Sequence, residues 1–244
     1  MLYPNDRRSQ VGVNITHRVC DIEMWYICNM ASRKVPLVSG EYYHVFNRSA
    51  FGMRIFENER ESKAFVKALI YYTLIKPPRR LSFEKRYREN IMNFDERLVS
   101  ILAYCVMPNH FHLLLKQEVE GGISTYLRRL TVSFVRYYNI LHKQKGPLFE
   151  SRFKSVLIES ENQLLHVSRY IHLNPTSARL VEDPLDYPYS SFKYYVHGGE
   201  QKPLVFDDIL RSKKREHYEK FVYDNMEYQQ TLQYIKNQLI DHEI

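Results

Sequence analysis

The sequence predicts an α+β protein built on a ferredoxin-like antiparallel sheet. Short apolar runs typical of strands alternate with longer segments whose apolar residues recur at helical spacing, and their order is β-α-β-β-α-β. That order is the split β-α-β arrangement, in which helices cover one face of a four-stranded sheet. A further helix and a helical C-terminal tail are predicted to follow the fourth strand.

The first half of the predicted core contains one strand and one helix. Residues 41–49, EYYHVFNRS, are rich in aromatic and β-branched side chains and predict the first strand. Residues 59–75 carry apolar side chains at helical spacing, and the prolines from Pro77 onward are expected to end that helix. Residues 76–90 are rich in lysine and arginine and predict a solvated connector.

Two strands, a helix and a fourth strand are predicted next. Residues 97–107 and 110–116 are apolar runs joined by the Pro-Asn turn at 108–109, which indicates a hairpin. Residues 123–141 carry one continuous apolar stripe, which is typical of an amphipathic helix. Residues 152–160, RFKSVLIES, predict the fourth strand.

The segments after the fourth strand are mainly helical. Residues 161–174 predict a helix, and Pro175 is expected to end it. Residues 186–195, DYPYSSFKYY, predict an aromatic loop, and a charged helical tail begins at about Asp207.

The chain divides into three predicted segments. Residues 1–32 show no sustained periodicity and are expected to form an extension outside the core. Residues 33–198 form the predicted core domain. Residues 199–244 form the helical C-terminal tail.

Composition narrows the classes of function. The chain has 244 residues, a formal net charge of +7, 20 tyrosines and 13 phenylalanines, which favours a nucleic-acid partner. Its cysteines, Cys20, Cys28 and Cys105, lack paired spacing, which disfavours a disulfide framework and a four-cysteine zinc site. No apolar run approaches the roughly 20 residues of a membrane span. We therefore expect a cytoplasmic protein.

Two histidines flank one phenylalanine in the segment VMPNHFHLLLK. Side chains two residues apart on a strand share a face, so His110 and His112 project together while Phe111 and Leu113 project to the other side. Neutral imidazoles bind several divalent metals, which makes the pair a candidate metal ligand. The same pattern also suits two histidines at a solvated strand edge.

The helix predicted after the fourth strand has a polar sector beside an apolar one. At about 100° per residue, Tyr170 and Asn174 lie one turn apart on the same side. Leu164, Val167 and Ile171 form the adjacent apolar sector, which is expected to face the sheet. Tyr170 therefore lies at the border of the two sectors, a position that also suits a structural tyrosine with an exposed hydroxyl.

Basic residues concentrate in the segment 121–154, which holds seven Lys and Arg and one acidic residue. This excess predicts a surface that binds DNA phosphates, although a solvated helix face is the alternative. Arg152 and Lys154 are expected to share a strand face, with Arg128 and Arg136 on the preceding helix. The neighbouring aromatic residues able to stack on bases are Tyr137, Tyr138, Phe149 and Phe153.

Four segments together resemble a known family. In chain order they are YCVMPNHFHLLL, GPLFESRFKSVLIE, SRYIHLNPTSARLV and YPYSSFKYY. They resemble the single-tyrosine HUH transposases of the IS200-like family, and most closely the branch of REP-associated tyrosine transposases. The resemblance covers about residues 33–195, and four segments in one order are far more specific than any one of them.

The resemblance implies a chemistry and a set of residues. His110 and His112 would bind a divalent metal, Mg²⁺ or Mn²⁺, and Tyr170 would be the nucleophile. Asn174 would complete the metal site at a position where relatives often have glutamine. The implied activity is cleavage and rejoining of single-stranded or hairpin DNA through a 5′-phosphotyrosine intermediate, as in DNA transposition.

Two other functions stay open at this point. One is a domesticated DNA-hairpin-binding or regulatory protein without strand transfer. The other is a structural ferredoxin-like protein whose histidines bind nothing. The presence of His110, His112, Tyr170 and Asn174 together favours the enzyme. The sequence leaves the choice between a monomer and a homodimer open.

Overall fold

A four-stranded antiparallel sheet forms the centre of the computed structural model, which describes residues 36–77, 81, 95–198, 204–210 and 215–241. The strands are β1 (Tyr42–Arg48), β2 (Val99–Met107), β3 (His110–Gln117) and β4 (Lys154–Ile158). Their spatial order is β2-β3-β1-β4, and each neighbouring pair is antiparallel. This is the ferredoxin-like arrangement, so the predicted fold class is confirmed.

Seven α-helices lie in the described part of the chain. They are α1 (Glu59–Tyr71), α2 (Gly122–Leu141), α3 (Glu161–Ser177), α4 (Phe192–His197), α5 (Asp207–Leu210), α6 (Arg215–Tyr223) and α7 (Met226–Asp241). The described helices include none with the length and apolar character that a membrane span requires. The predicted extension, residues 1–32, and most of the connector 76–90 lie outside the described residues.

The two faces of the sheet are covered by different helices. Tyr43, Val45 and Leu113 point to one face and are buried against apolar side chains of α1 and α2. The alternate residues point to the other face, where Phe46 pairs with His112 across β1 and β3, and α3 packs there. Every residue of β2 is buried because both of its faces are covered, which explains its unbroken apolar sequence.

The first helix is shorter than predicted. The sequence predicts a helix over 59–75, but α1 ends at Tyr71. Tyr72 and Thr73 then form a turn, Leu74 makes an isolated β-bridge with Arg97, and the N–H of Leu98 donates to the carbonyl of Thr73 (2.6 Å). Backbone pairing with the segment that precedes β2 therefore takes the place of the last helical turn that was predicted before Pro77.

The helix α3 extends past the proline expected to end it. It continues through Pro175 to Ser177. Proline lacks an N–H and so removes one backbone bond, but here it does so only in the last turn, where few bonds remain to be lost. The hydroxyls of Thr176 and Ser177 both donate to the carbonyl of Leu173 (2.9 Å each), which satisfies a carbonyl near the helix end.

The C-terminal tail is helical, as predicted, and a buried polar network joins it to α3. The hydroxyl of Tyr218 on α6 lies 2.8 Å from Nδ1 of His172 and 2.8 Å from Oγ of Ser168. Nε2 of His172 lies 2.8 Å from Oγ of Ser191, in the segment predicted to be an aromatic loop, where the short helix α4 begins. All four side chains are buried, and burial lowers the pKa of His172 to about 3, so its ring is neutral.

Tyr218→Phe is expected to lower the free energy of unfolding by about 1–3 kcal/mol. The substitution keeps the ring but leaves the buried polar atoms of His172 and Ser168 without this partner. Urea unfolding followed by circular dichroism measures the change. Tyr137→Phe is the control, because the Tyr137 hydroxyl makes no hydrogen bond within the described residues. Equal losses in the two variants would show that the network does not stabilise the fold.

Candidate active site

His110 and His112 lie together on the sheet face that α3 covers. Their ring centroids are 5.0 Å apart and their planes are almost perpendicular, at 89°. Phe111 and Leu113 are buried on the opposite face. The His112 side chain is only 7% exposed, whereas His110 is half-buried at the start of β3. Both imidazoles therefore lie on one face of β3, as the alternation of side chains along a strand predicts.

Tyr170 meets these histidines from α3. The centroid of its ring lies 5.5 Å from that of His112, with the two planes at 84°. Leu164, Val167 and Ile171 are buried, whereas the Tyr170 side chain is half-buried. Tyr170 therefore lies, as predicted, at the border between the apolar and polar sides of α3. This border faces the histidine pair.

A third histidine, His44 on β1, belongs to this cluster and was missed by the sequence analysis. Its Nε2 lies 3.0 Å from Nδ1 of His112, and its ring centroid lies 6.0 Å from that of Tyr170. The side chain is 4% exposed, and burial lowers its pKa to about 3, so the ring is neutral near pH 7. A signal was present, because a histidine inside the apolar strand YYHVFNR is unusual.

The Nδ1 atoms of the paired histidines both have polar partners. Oδ1 of Asn109 lies 2.7 Å from Nδ1 of His110 and, as an amide oxygen, can only accept, so this nitrogen carries the proton. A neutral ring in this form presents the lone pair of Nε2, which is the form that binds a metal. When Nδ1 of His112 is the donor in its bond to His44, His112 takes the same form.

The donor set is compatible with a divalent cation bound by two imidazole nitrogens. Among the described residues, no group of three or more His, Cys, Asp or Glu side chains is placed to hold a metal ion. Nε2 of His44 is engaged with Nδ1 of His112, so His44 acts as a partner of that ring. Oxygens of an amide, a substrate or water would be candidates for further ligands.

Asn174, the predicted third ligand, lies one turn after Tyr170 and is 9% exposed. Its Nδ2 donates to the carbonyl of Tyr170 (2.8 Å). The same carbonyl accepts a second bond from Nε2 of Gln229 on α7 (3.1 Å). With its nitrogen directed to the helix backbone, Asn174 has Oδ1 as the atom able to bind a cation. Its role as a metal ligand stays a prediction.

The four cations predicted to bind DNA do not form one surface with the histidines. Arg128 and Arg136 are exposed on α2, which covers the opposite face of the sheet. Lys154 is exposed on the same sheet face as His110 and His112, and β1 lies between its strand and the strand of His112. The strand β4 begins at Lys154, so Arg152 lies before it rather than on the strand face predicted for both.

The aromatic side chains predicted to stack on bases are engaged elsewhere. All four are partly buried and pack on the hydrophobic core: Tyr137, Tyr138, Phe149 and Phe153. A further cation, which the sequence pattern does not indicate, lies at the site. Arg48 is exposed and pairs with His110 across β1 and β3, because the register of the two strands places them side by side.

Comparison with known families supports the predicted resemblance. Residues 79–174 match the family model described as "Transposase IS200 like". Over this segment the chain is similar to the IS200-like transposases. The matched segment contains His110, His112 and Tyr170 and ends at Asn174. It does not include β1, which carries His44 and Arg48, or the helices of the tail.

A similarity to one individual protein agrees with this match. A Haemophilus influenzae protein that bears the name REP-associated tyrosine transposase is 27% identical over 120 residues, and the match covers 45% of this chain. It covers 66% of that relative, just under two thirds of its length.

Two solved structures show weaker similarity. One is of a REP-associated tyrosine transposase bound to a REP hairpin, with a TM-score of 0.49, 17% identity, and coverage of 69% of this chain and 86% of that chain. The other is of a bacterial tRNA(His) guanylyltransferase-like protein in complex with ATP, with a TM-score of 0.35, 10% identity, and coverage of 69% and 75%.

Proposed function

We propose that this protein cleaves and rejoins single-stranded or hairpin DNA, with Tyr170 as the nucleophile. The observation that carries the proposal is the packing of the Tyr170 ring against His112, whose neighbour His110 lies on the same strand face. Three elements, β1, β3 and α3, converge on this cluster. The IS200-like match includes the paired histidines and Tyr170, which supports the same assignment.

The proposed step transfers a DNA phosphate to Tyr170. The phenol oxygen attacks phosphorus and forms a new O–P bond, while the bond from phosphorus to the 3′ oxygen breaks and its electron pair goes to that oxygen. The phenol proton ends on the 3′ oxygen. The products are a 5′-phosphotyrosine and a free 3′-hydroxyl. Attack by a 3′-hydroxyl reverses the step, so rejoining needs no nucleotide cofactor.

His110 and His112 would hold a divalent cation, Mg²⁺ or Mn²⁺, through their Nε2 atoms, with Oδ1 of Asn174 as the proposed third ligand. When bound, the cation offsets the negative charge of the DNA phosphate and makes its phosphorus easier to attack. The protein itself orients the attacking group, because the buried face of α3 holds the ring of Tyr170 against His112. Arg48 and Lys154 supply positive charge on the same face for the DNA backbone.

Incubation of the purified protein with end-labelled hairpin DNA and Mg²⁺ or Mn²⁺ tests this proposal. The expected result is a protein–DNA adduct that survives denaturing electrophoresis, together with a fragment that ends in a 3′-hydroxyl. Tight binding without an adduct would instead support a DNA-hairpin-binding protein that lacks strand transfer. Absence of both DNA binding and an adduct would support the structural ferredoxin-like protein whose histidines bind nothing.

His44→Phe is expected to weaken Mn²⁺ binding by about 10- to 100-fold, because it removes the side chain that bonds to Nδ1 of His112 and orients its ring. Phenylalanine keeps an aromatic ring in the buried space. Isothermal titration calorimetry measures the affinity, and ¹⁵N chemical shifts of the metal-free protein report which nitrogen of His112 is protonated.

The control for this variant is His197→Ala, which removes an exposed histidine at the end of α4. Unchanged Mn²⁺ affinity and unchanged ¹⁵N shifts of His112 in His44→Phe would show that His44 does not orient the ring.

A further inference from the structure

The turn after β1 presents a phenylalanine to solvent. Phe51 lies in the three-residue 3-10 turn Ala50–Gly52, and its side chain is 98% exposed. Its backbone is in the left-handed region, with φ of 55°, which is uncommon for a residue other than glycine and costs conformational energy. A large apolar ring held outward on a strained backbone contributes nothing to the core.

Backbone hydrogen bonds attach this turn to the histidine strand. The N–H of Ser49 donates to the carbonyl of Asn109 (2.8 Å), and Asn109 also accepts from Nδ1 of His110 through its side chain. The N–H of Phe56 donates to the carbonyl of Pro108 (2.9 Å) on the far side of the turn. The loop that carries Phe51 is therefore bonded on both sides to the turn from which His110 emerges.

A positive charge lies three residues before this ring. Arg48 is exposed and is the cross-strand neighbour of His110. A guanidinium group binds phosphate oxygens, and a phenyl ring stacks on the face of a base. Each unit of a nucleic-acid strand has one phosphate and one base, so an arginine and an exposed aromatic ring on one short segment match a nucleotide. In a duplex the base faces are already stacked, so the match requires an unpaired base.

We infer that Phe51 is a stacking platform for an unpaired nucleobase of single-stranded DNA whose backbone passes Arg48. The inference rests on the proposed function for the location of the DNA strand at the histidine site. It adds a contact with the face of a base. Because every base has such a face, this subsite contributes affinity for unpaired DNA rather than discrimination between sequences.

The test compares two hairpins of identical stem, one with a single-stranded overhang and one with a blunt end. Phe51→Ala is expected to weaken binding of the overhang hairpin by about 5- to 150-fold and to leave the blunt hairpin within about twofold. Phe51→Trp is expected to keep the wild-type affinity. Fluorescence anisotropy at one fixed salt concentration measures all three proteins.

Two further variants separate stacking from damage to the fold. Glycine adopts the left-handed conformation without strain, so Phe51→Gly keeps the turn and should lose the same affinity as Phe51→Ala. Ile140→Ala removes another exposed apolar side chain, 81% exposed on α2, and should change neither affinity.

Equal weakening of both hairpins, or no weakening of either, would overturn the inference. The covalent adduct is measured in parallel with wild-type protein. Selective loss of overhang binding in Phe51→Ala, in a protein that forms no adduct, would refute the proposed cleavage and keep the stacking site. Formation of an adduct, with no effect of Phe51→Ala on binding, would support the proposed cleavage and refute the stacking site.

Discussion

Tyr170→Phe is expected to reduce formation of the covalent protein–DNA adduct by at least about a thousandfold. Phenylalanine retains the ring that contacts His44 and His112, so α3 should stay in place. What is lost is the phenol oxygen that would form the ester bond to phosphorus. Labelled hairpin DNA resolved on a denaturing gel measures the adduct, and anisotropy measures binding, which should stay within about threefold of wild type because phosphate contacts on the sheet are unchanged.

Tyr137→Phe is the matched control, since it makes the same change on α2, on the opposite side of the sheet. Its adduct yield should equal that of the wild type. Persistence of the adduct in Tyr170→Phe would mean that another side chain attacks, and mass spectrometry of the DNA-linked peptide would identify it.

His112→Ala is expected to abolish cleavage and to lower Mn²⁺ affinity by at least about 100-fold. The substitution removes one of the two imidazoles on the strand face and leaves His110 as a single nitrogen ligand. DNA binding should survive largely intact, because the charges of Arg48 and Lys154 do not depend on the ring. Calorimetry with Mn²⁺, a hairpin-binding assay and the adduct assay give the three readouts, with His197→Ala as the control.

A combined loss of DNA binding and cleavage in His112→Ala would point to a role for the histidine in the fold. Its ring is buried and contacts both His44 and Tyr170, so its removal leaves a space at the junction of the sheet and α3. Urea unfolding of the metal-free variant distinguishes the two outcomes, since only a role in the fold predicts a large loss of stability.

The parts of the site that the sequence predicts are those fixed by local backbone geometry. Alternation along a strand sets the common direction of His110 and His112, and helical periodicity sets the border position of Tyr170. His44 was missed because its contact with His112 joins residues 68 positions apart and depends on the register of β1 against β3. Arg48 was missed for the same reason, since local spacing does not specify register.

The cations of the predicted basic surface lie on two faces of the sheet. Arg128, Arg136 and Lys154 lie within one short stretch of sequence, which favoured a common surface. The chain crosses from the face covered by α2 to the strand β4 within that stretch, so Lys154 ends on the histidine face while the two arginines remain on the other side. Proximity along the chain predicts a shared surface only while the chain stays on one side of the sheet.

The two hydrogen bonds that the carbonyl of Tyr170 accepts affect how the chain could be shortened. One donor, Asn174, is the last residue of the segment that matches the IS200-like transposases, and the other, Gln229, belongs to the tail. A chain truncated at the end of that segment would retain every proposed catalytic side chain. It would also remove the hydrogen bond that Gln229 of the tail donates to the backbone of Tyr170, the proposed nucleophile. A minimal engineered version therefore has to include the tail.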